Sequence, residues 1–269
     1  MEYKLLCFDI DGTLLDDQKR ISDSVKRSLR KASDMGIRIA LASGRMPAGV
    51  EMIEKELTID CIKICNAGTY ILVDGNCIDS KYLSLDSMKN IYENIAAKKN
   101  IPLWIFREKA WYVTGIDWIV EREMQIIPYI PEVVAMDELI KRWQGEGKLP
   151  NKLLFGGKPE LIQMIHEEMK DGAAWPDVEM AYSADTFIEI FPKGVDKGKA
   201  LMTVCNHLGI DLQNVMAFGD QDLDIPLIEA AGTGVAMGNA IPQLKEKADF
   251  ITGTNNEDGI AYALEHYLK

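Results

Sequence analysis

The feature that most constrains this chain is a set of short apolar runs, each closed by a polar residue and separated by a helical pattern. Leu5-Leu6-Cys7-Phe8 ends at Asp9, Ile37 to Ala42 ends at Ser43, and Ile62 to Cys65 ends at Asn66. Runs of this length without alternation suit strands buried on both faces, as in a parallel sheet. Between the first two, Ser22 has the character of an N-cap, Val25, Leu29 and Ala32 recur at helical spacing, and Gly36 closes the helix. Pro47 opens the next helix. The rhythm returns late in the chain. A helix is expected from about Lys199 to Leu208, stopped by Gly209. A strand over Val215 to Phe218 leads to Gly219-Asp220. A helix over Pro226 to Ala231, a strand over Gly234 to Met237 and a last helix near Gly259 follow. The predicted fold class is α/β, a doubly wound parallel sheet with a Rossmann-like core.

The middle of the chain reads differently. Pro102 to Phe106 and Ala110 to Thr114 suggest a hairpin around Arg107-Glu108-Lys109, and all five tryptophans, at 104, 111, 118, 143 and 175, fall in this part. An inserted α+β domain over 83–187 is expected, with the core formed by 1–82 and 188–269. The tryptophans are read chiefly as core of that insert.

Charge narrows the function. Thirty Lys and Arg against 42 Asp and Glu give a formal net charge of −12. That balance disfavours a nucleic-acid partner, which requires cations to displace phosphate counterions, and a polybasic membrane contact. The five cysteines form no C-x-x-C pair, so neither a disulfide framework nor a zinc site is expected. The start lacks the pattern of a signal peptide, and no apolar run approaches the ~18 residues of a membrane span. A cytoplasmic protein, monomer or homodimer, is the expectation.

Polar residues gather where such a sheet binds ligands. Asp9, Asp11, Ser43, Asn66 and Asp220 fall at the carboxyl ends of predicted strands or on the loops beside them. Carboxylates converging on one edge repel each other, and a divalent cation relieves that. An all-oxygen cluster suits Mg²⁺, which also accepts phosphate oxygens. Asp9 and Asp11 are two apart, so in extended chain both can face one site, and Gly12 permits a sharp turn. A strand ending in an Asp-Gly turn is common by itself; the order of the motifs along the chain tips the balance.

Asp9-Ile10-Asp11-Gly12-Thr13, following an apolar strand, resembles the first motif of the haloacid dehalogenase-like phosphohydrolase superfamily. Ser43-Gly44-Arg45 is similar to the second, Lys197-Gly198 with Leu201 to the third, and Gly219-Asp220 through Asp224 to the fourth. Gly234 to Ala240 and Asn256 to Ile260 resemble the Cof-type subfamily, whose large type-2 cap lies between motifs two and three. The resemblance implies a phosphatase acting on a small phosphorylated molecule. It casts Asp9 as nucleophile and Asp11 as general acid–base. Ser43 and Lys197 would contact phosphate, and Gly44, Arg45 and Asn66 substrate. Mg²⁺ would be held by Asp9, the backbone carbonyl at Asp11, and Asp220, with Asp224 behind them.

Two positions depart from the subfamily pattern. Asn66-Ala67-Gly68 stands where Asn-Gly is usual, and Leu223 where Asn is usual, which suggests altered phosphate positioning. A phosphomutase of the same superfamily and a non-catalytic binder of phosphorylated metabolites stay open as alternatives. An EF-hand at Asp220-Asp222-Asp224 fails, because its sixth and twelfth positions are Ile225 and Ala231. Gly194 to Lys199 has the wrong spacing for a P-loop.

Overall fold

The computed structural model describes residues 2–127, 129–171 and 175–268. They divide into two compact units: Met1–Ser43, Val50–Asp79 and Asp196–Lys269 in the first, Gly44–Gly49 and Ser80–Val195 in the second. Strands β1 (Leu5–Phe8), β2 (Arg38–Ala42), β3 (Cys61–Cys65), β4 (Tyr70–Val73) and β5 (Asn76–Ser80) open the larger sheet. The smaller sheet contains β6 (Trp104–Arg107), β7 (Ala110–Val113), β8 (Glu132–Val133), β9 (Lys152–Gly156), β10 (Val178–Ala184) and β11 (Phe187–Pro192). The chain then returns to the first sheet with β12 (Val215–Gly219), β13 (Thr233–Ala236) and β14 (Phe250–Ile251).

In the first unit the strand order is β14-β13-β12-β1-β2-β3-β4-β5. β1 is central and pairs in parallel with both β2 and β12. Its four residues are buried on both faces. Leu6 and Phe8 pack with Val25 and Leu29 of the helix Asp23–Asp34 and with Ile260 and Leu264 near the C-terminus. Leu5 and Cys7 pack with Leu201 and Val204 of the helix Lys197–Leu208. Helices therefore cover both faces, and the expected doubly wound α/β core is what the chain forms. The predicted caps are present: the Ser22 side chain accepts from the Val25 N–H at 3.1 Å, and Gly209 ends its helix at φ +65°. The sequence reading did not anticipate β4 and β5. They follow each other through Asp74 and Gly75, both at positive φ, as a two-residue hairpin turn requires.

The second unit holds a six-stranded sheet in the order β10-β11-β9-β6-β7-β8. Its boundaries lie outside 83 and 187, because β11 belongs to this sheet. The expected hairpin is β6–β7, antiparallel, with Phe106 opposite Trp111. Trp104, Trp111 and Trp143 are core residues, while Trp118 is 51% exposed. Among the described residues no helix is long and apolar enough to cross a membrane.

One buried ion pair stands out in this unit. Alternation along β9 and β11 places Leu153, Phe155, Ile188 and Ile190 in one apolar cluster, and turns Lys152 and Glu189 to the other face. Both side chains are almost wholly buried, and the Lys152 Nζ lies 3.2 Å from Glu189 Oε2. The same ammonium donates to the Gly44 carbonyl at 2.5 Å and lies 4.7 Å from the centre of the Phe106 ring. Breaking such a pair leaves an uncompensated buried charge. Lys152→Ala is expected to lose about 3–5 kcal/mol, and Lys152→Met with Glu189→Leu to recover most of it. Urea unfolding followed by tryptophan fluorescence reads this unit, since all five tryptophans lie within it. A loss below about 1 kcal/mol for Lys152→Ala would contradict the assignment.

Candidate active site

The site is built where β1 and β12 end side by side. Their register pairs Phe8 with Phe218, whose rings stack 4.7 Å apart, and the Asp9 N–H donates to the Phe218 carbonyl at 3.0 Å. Asp9 and the Gly219-Asp220 turn thus leave neighbouring strands at the same edge. β1 is also where the chain switches from building the sheet on one side to building it on the other. Ligands in doubly wound sheets bind at such switch points.

Lys197 enters from the first turn of its helix, which is capped by Asp196 accepting from the Lys199 N–H at 2.7 Å. Its ammonium is buried and donates to Asp9 Oδ1 at 2.7 Å and to Asp224 Oδ1 at 2.6 Å. Asp224 uses its other oxygen to accept from the backbone N–H of Asp220 at 3.0 Å and of Gln221 at 3.1 Å. Asp220 accepts from the Thr13 hydroxyl at 2.7 Å and from the Gln221 amide at 3.3 Å. Oxygens of Asp9, Asp220 and Asp224 all lie within 4.8 Å of one another. Asp9 Oδ2 accepts no hydrogen bond among the described residues.

Three buried carboxylates face one ammonium, and the proton affinities reflect that imbalance. Burial, then the Asp224 charge, holds the Asp9 carboxyl well above the usual range. Burial and Asp224 likewise push Asp220 up to about 6. For Lys197 burial pulls the affinity down, but Asp224 and Asp9 outweigh it and hold the ammonium above its ordinary value. A crowded, all-oxygen set short of positive charge is what a small divalent cation fits. Gly12 completes the enclosure: it sits at φ +89°, and a Cβ there would collide with the Asp220 carboxylate.

The other expected residues fall in several places. Ser43 is buried at the end of β2; its N–H donates to Ile64 at 2.9 Å and its carbonyl accepts from Ala67 at 3.0 Å. Asn66 is fully buried in a left-handed turn at φ +51°, and among the described residues neither its side-chain nitrogen nor its side-chain oxygen has a hydrogen-bond partner. Gly44 and Arg45 belong to the second unit, Gly44 through its bond to Lys152. The Asp11 carboxylate accepts from Lys19 Nζ at 2.8 Å, an exposed pair, and is not a member of the buried trio. Asp224, expected behind the ligands, has an oxygen within 4.8 Å of those of Asp9 and Asp220. Sequence reasoning missed Thr13 as the partner of Asp220. Leu223 is half-buried, and the Gln221 amide is the side-chain nitrogen that reaches Asp220 in this loop.

Comparison with known proteins identifies the family. A family model for haloacid dehalogenase-like hydrolases matches residues 6–264. The chain is 31% identical over 270 residues to 5-amino-6-(5-phospho-D-ribitylamino)uracil phosphatase YcsE of Bacillus subtilis, covering 100% of this chain and 97% of that protein. It is 29% identical to HMP-PP phosphatase of Yersinia enterocolitica, covering 99% and 96%. Among solved structures, a haloacid dehalogenase-like hydrolase from Bacteroides thetaiotaomicron superposes with a TM-score of 0.84 at 27% identity, covering 98% of this chain and 99% of that one. A subclass IIB sugar phosphatase superposes at 0.82 with 27% identity, covering 98% of each. With nearly its full length matched, and the motif residues Asp9, Lys197, Asp220 and Asp224 gathered at one sheet edge, the chain belongs to the haloacid dehalogenase-like hydrolases.

Proposed function

We propose that this protein is a Mg²⁺-dependent phosphatase of small phosphorylated metabolites that works through a phosphoryl group carried on Asp9. The observation that carries this reading is the buried contact of Lys197 with Asp9 inside the carboxylate trio. Phosphatases among the matched relatives support it. Asp9 Oδ2 attacks phosphorus, an Asp9 oxygen–phosphorus bond forms, and the ester oxygen leaves with the bonding pair. Asp11 gives that oxygen a proton, then takes one from the water that cleaves the acyl phosphate and releases inorganic phosphate. Lys197 holds Asp9 in place and sets positive charge beside the transferring group. Ser43 donates to phosphate oxygens, and the unpartnered Asn66 amide has a donor to offer them. Mg²⁺, held by Asp9, Asp220 and the Asp11 carbonyl with Asp224 as a further candidate, would supply charge neutralisation of the phosphoryl group. The insert expected over 83–187, with Arg45, is assigned the selection of the leaving group.

Hydrolysis of p-nitrophenyl phosphate tests the reading. Wild type is expected to turn over with Mg²⁺ and to stop with chelator, and Asp9→Asn to lose about three orders of magnitude or more in kcat. Full activity in chelator, or in Asp9→Asn, would refute it.

The raised proton affinity of Asp220 gives a second test, in metal-free protein. Its carboxyl moves from the ordinary 3.8 to about 6 on folding. Between those values the folded state binds more protons than the unfolded one. The stability this group contributes is therefore present below about pH 4 and lost as pH rises through about 6. Asp220→Asn removes that loss. With chelator present, its Tm is expected to gain on the wild type as pH rises from about 4 to about 7. A Tm difference that stays constant over that range in scanning calorimetry would contradict the assignment.

A further inference from the structure

The subfamily-like tails around Asn239 and Asn256 have no part in the scheme above, yet the structure joins them to the acid site. Met237 to Ile241 runs along the Gly219-Asp220 turn: the Met237 N–H donates to the Gly219 carbonyl at 3.1 Å and the Ile241 N–H to the Asp220 carbonyl at 3.0 Å. Between these two bonds lies Asn239, and its side-chain amide crosses to the other half of the site. Asn239 Nδ2 donates to the Gly12 carbonyl at 2.8 Å. Its Oδ1 accepts from the Asn255 backbone N–H at 3.0 Å. A backbone N–H can only donate and a carbonyl can only accept, so these two partners fix which way the amide faces. Asn255 is itself tied down on the same loop, its amide donating to the Leu15 carbonyl at 3.0 Å and to Asp17 Oδ1 at 3.1 Å. Asn256 and Asp17 exchange bonds of 2.9 and 3.1 Å.

We propose that Asn239 is a positioning residue for phosphoryl transfer, fixing the Gly12–Thr13 peptide against the Gly219-Asp220 turn. This rests on the phosphatase reading above. A trans peptide carries its C=O and N–H in opposite directions, so holding the Gly12 carbonyl on Asn239 also sets the direction of the Thr13 N–H. Thr13 is the residue whose hydroxyl bonds Asp220, and Gly12 is the residue packed against the Asp220 carboxylate. Asn239 therefore controls how the Asp9 loop and the Asp220 loop meet without touching the reacting atoms. Its bond to Gly12 is exposed, so it adds little to global stability. A displacement of about 1 Å in such a site costs about a hundredfold in rate.

The test compares Asn239→Ala and Asn239→Asp with wild type, using p-nitrophenyl phosphate and Mg²⁺. Asn239→Asp keeps the size and the acceptor for Asn255 but turns an anionic oxygen toward the Gly12 carbonyl. Both variants are expected to lose about ten- to a hundredfold in kcat, with KM within about threefold of wild type and Tm nearly unchanged. Asn239→Asp should be the slower of the two despite being nearly isosteric. A kcat within about twofold of wild type in both, or a loss of kcat that only tracks a loss of folded protein, would overturn the proposal. If Asn239→Ala does not fold, the near-isosteric Asn239→Asp alone decides by the same criteria. An inactive wild type would instead refute the phosphatase reading.

Discussion

The site depends on one ammonium held out of water between two carboxylates. Lys197 is 3% exposed and lies within 2.7 Å of Asp9 and 2.6 Å of Asp224. Burying a charge is costly unless it is paired, and here the pairing is incomplete by design of the composition: three acids to one base. Burial, and after it the neighbouring Asp224 charge, raises the proton affinity of Asp9 and Asp220. The same crowding of oxygens is what a small divalent cation would fit. One arrangement thus underlies both the raised proton affinities of the acids and their fit to a small divalent metal.

The sheet makes that arrangement possible. Parallel pairing of β1 with β12 brings Asp9 and Asp220, far apart in sequence, to adjacent strand ends. Helices on both faces let Lys197 descend on the same edge. Gly12 and Gly219 permit backbone approach where a side chain would meet Asp220 or Asp224. The loops are then tied rather than loose: Asp224 bonds the Asp220 turn, Thr13 bonds Asp220, and Asn239 bonds Gly12.

The core was legible in the sequence because strands buried on both faces leave unbroken apolar runs, and because each run stops at a polar residue. That placed Asp9, Ser43, Asn66 and Asp220 at strand ends, while Lys197 was singled out by the resemblance of Lys197-Gly198 with Leu201 to the third family motif. Other features leave no periodic trace. The Thr13–Asp220 bond joins positions 207 apart. Lys152 and Glu189 sit in apolar strands, and only their shared face reveals them as partners. The short β4–β5 hairpin interrupts the expected rhythm through a turn of two residues. Asp11 was read by alternation with Asp9, but a turn at Gly12 follows it and its carboxylate lies on Lys19. Alternation predicts facing only while the chain stays extended.

The most direct measurement of the account is where the phosphoryl group goes. Wild type mixed with radiolabelled p-nitrophenyl phosphate and Mg²⁺, quenched in acid within one turnover and digested, should yield label as an acyl phosphate on the peptide that contains Asp9. Label found only as free phosphate, or on a peptide without Asp9, under conditions of rapid turnover would contradict the central claim.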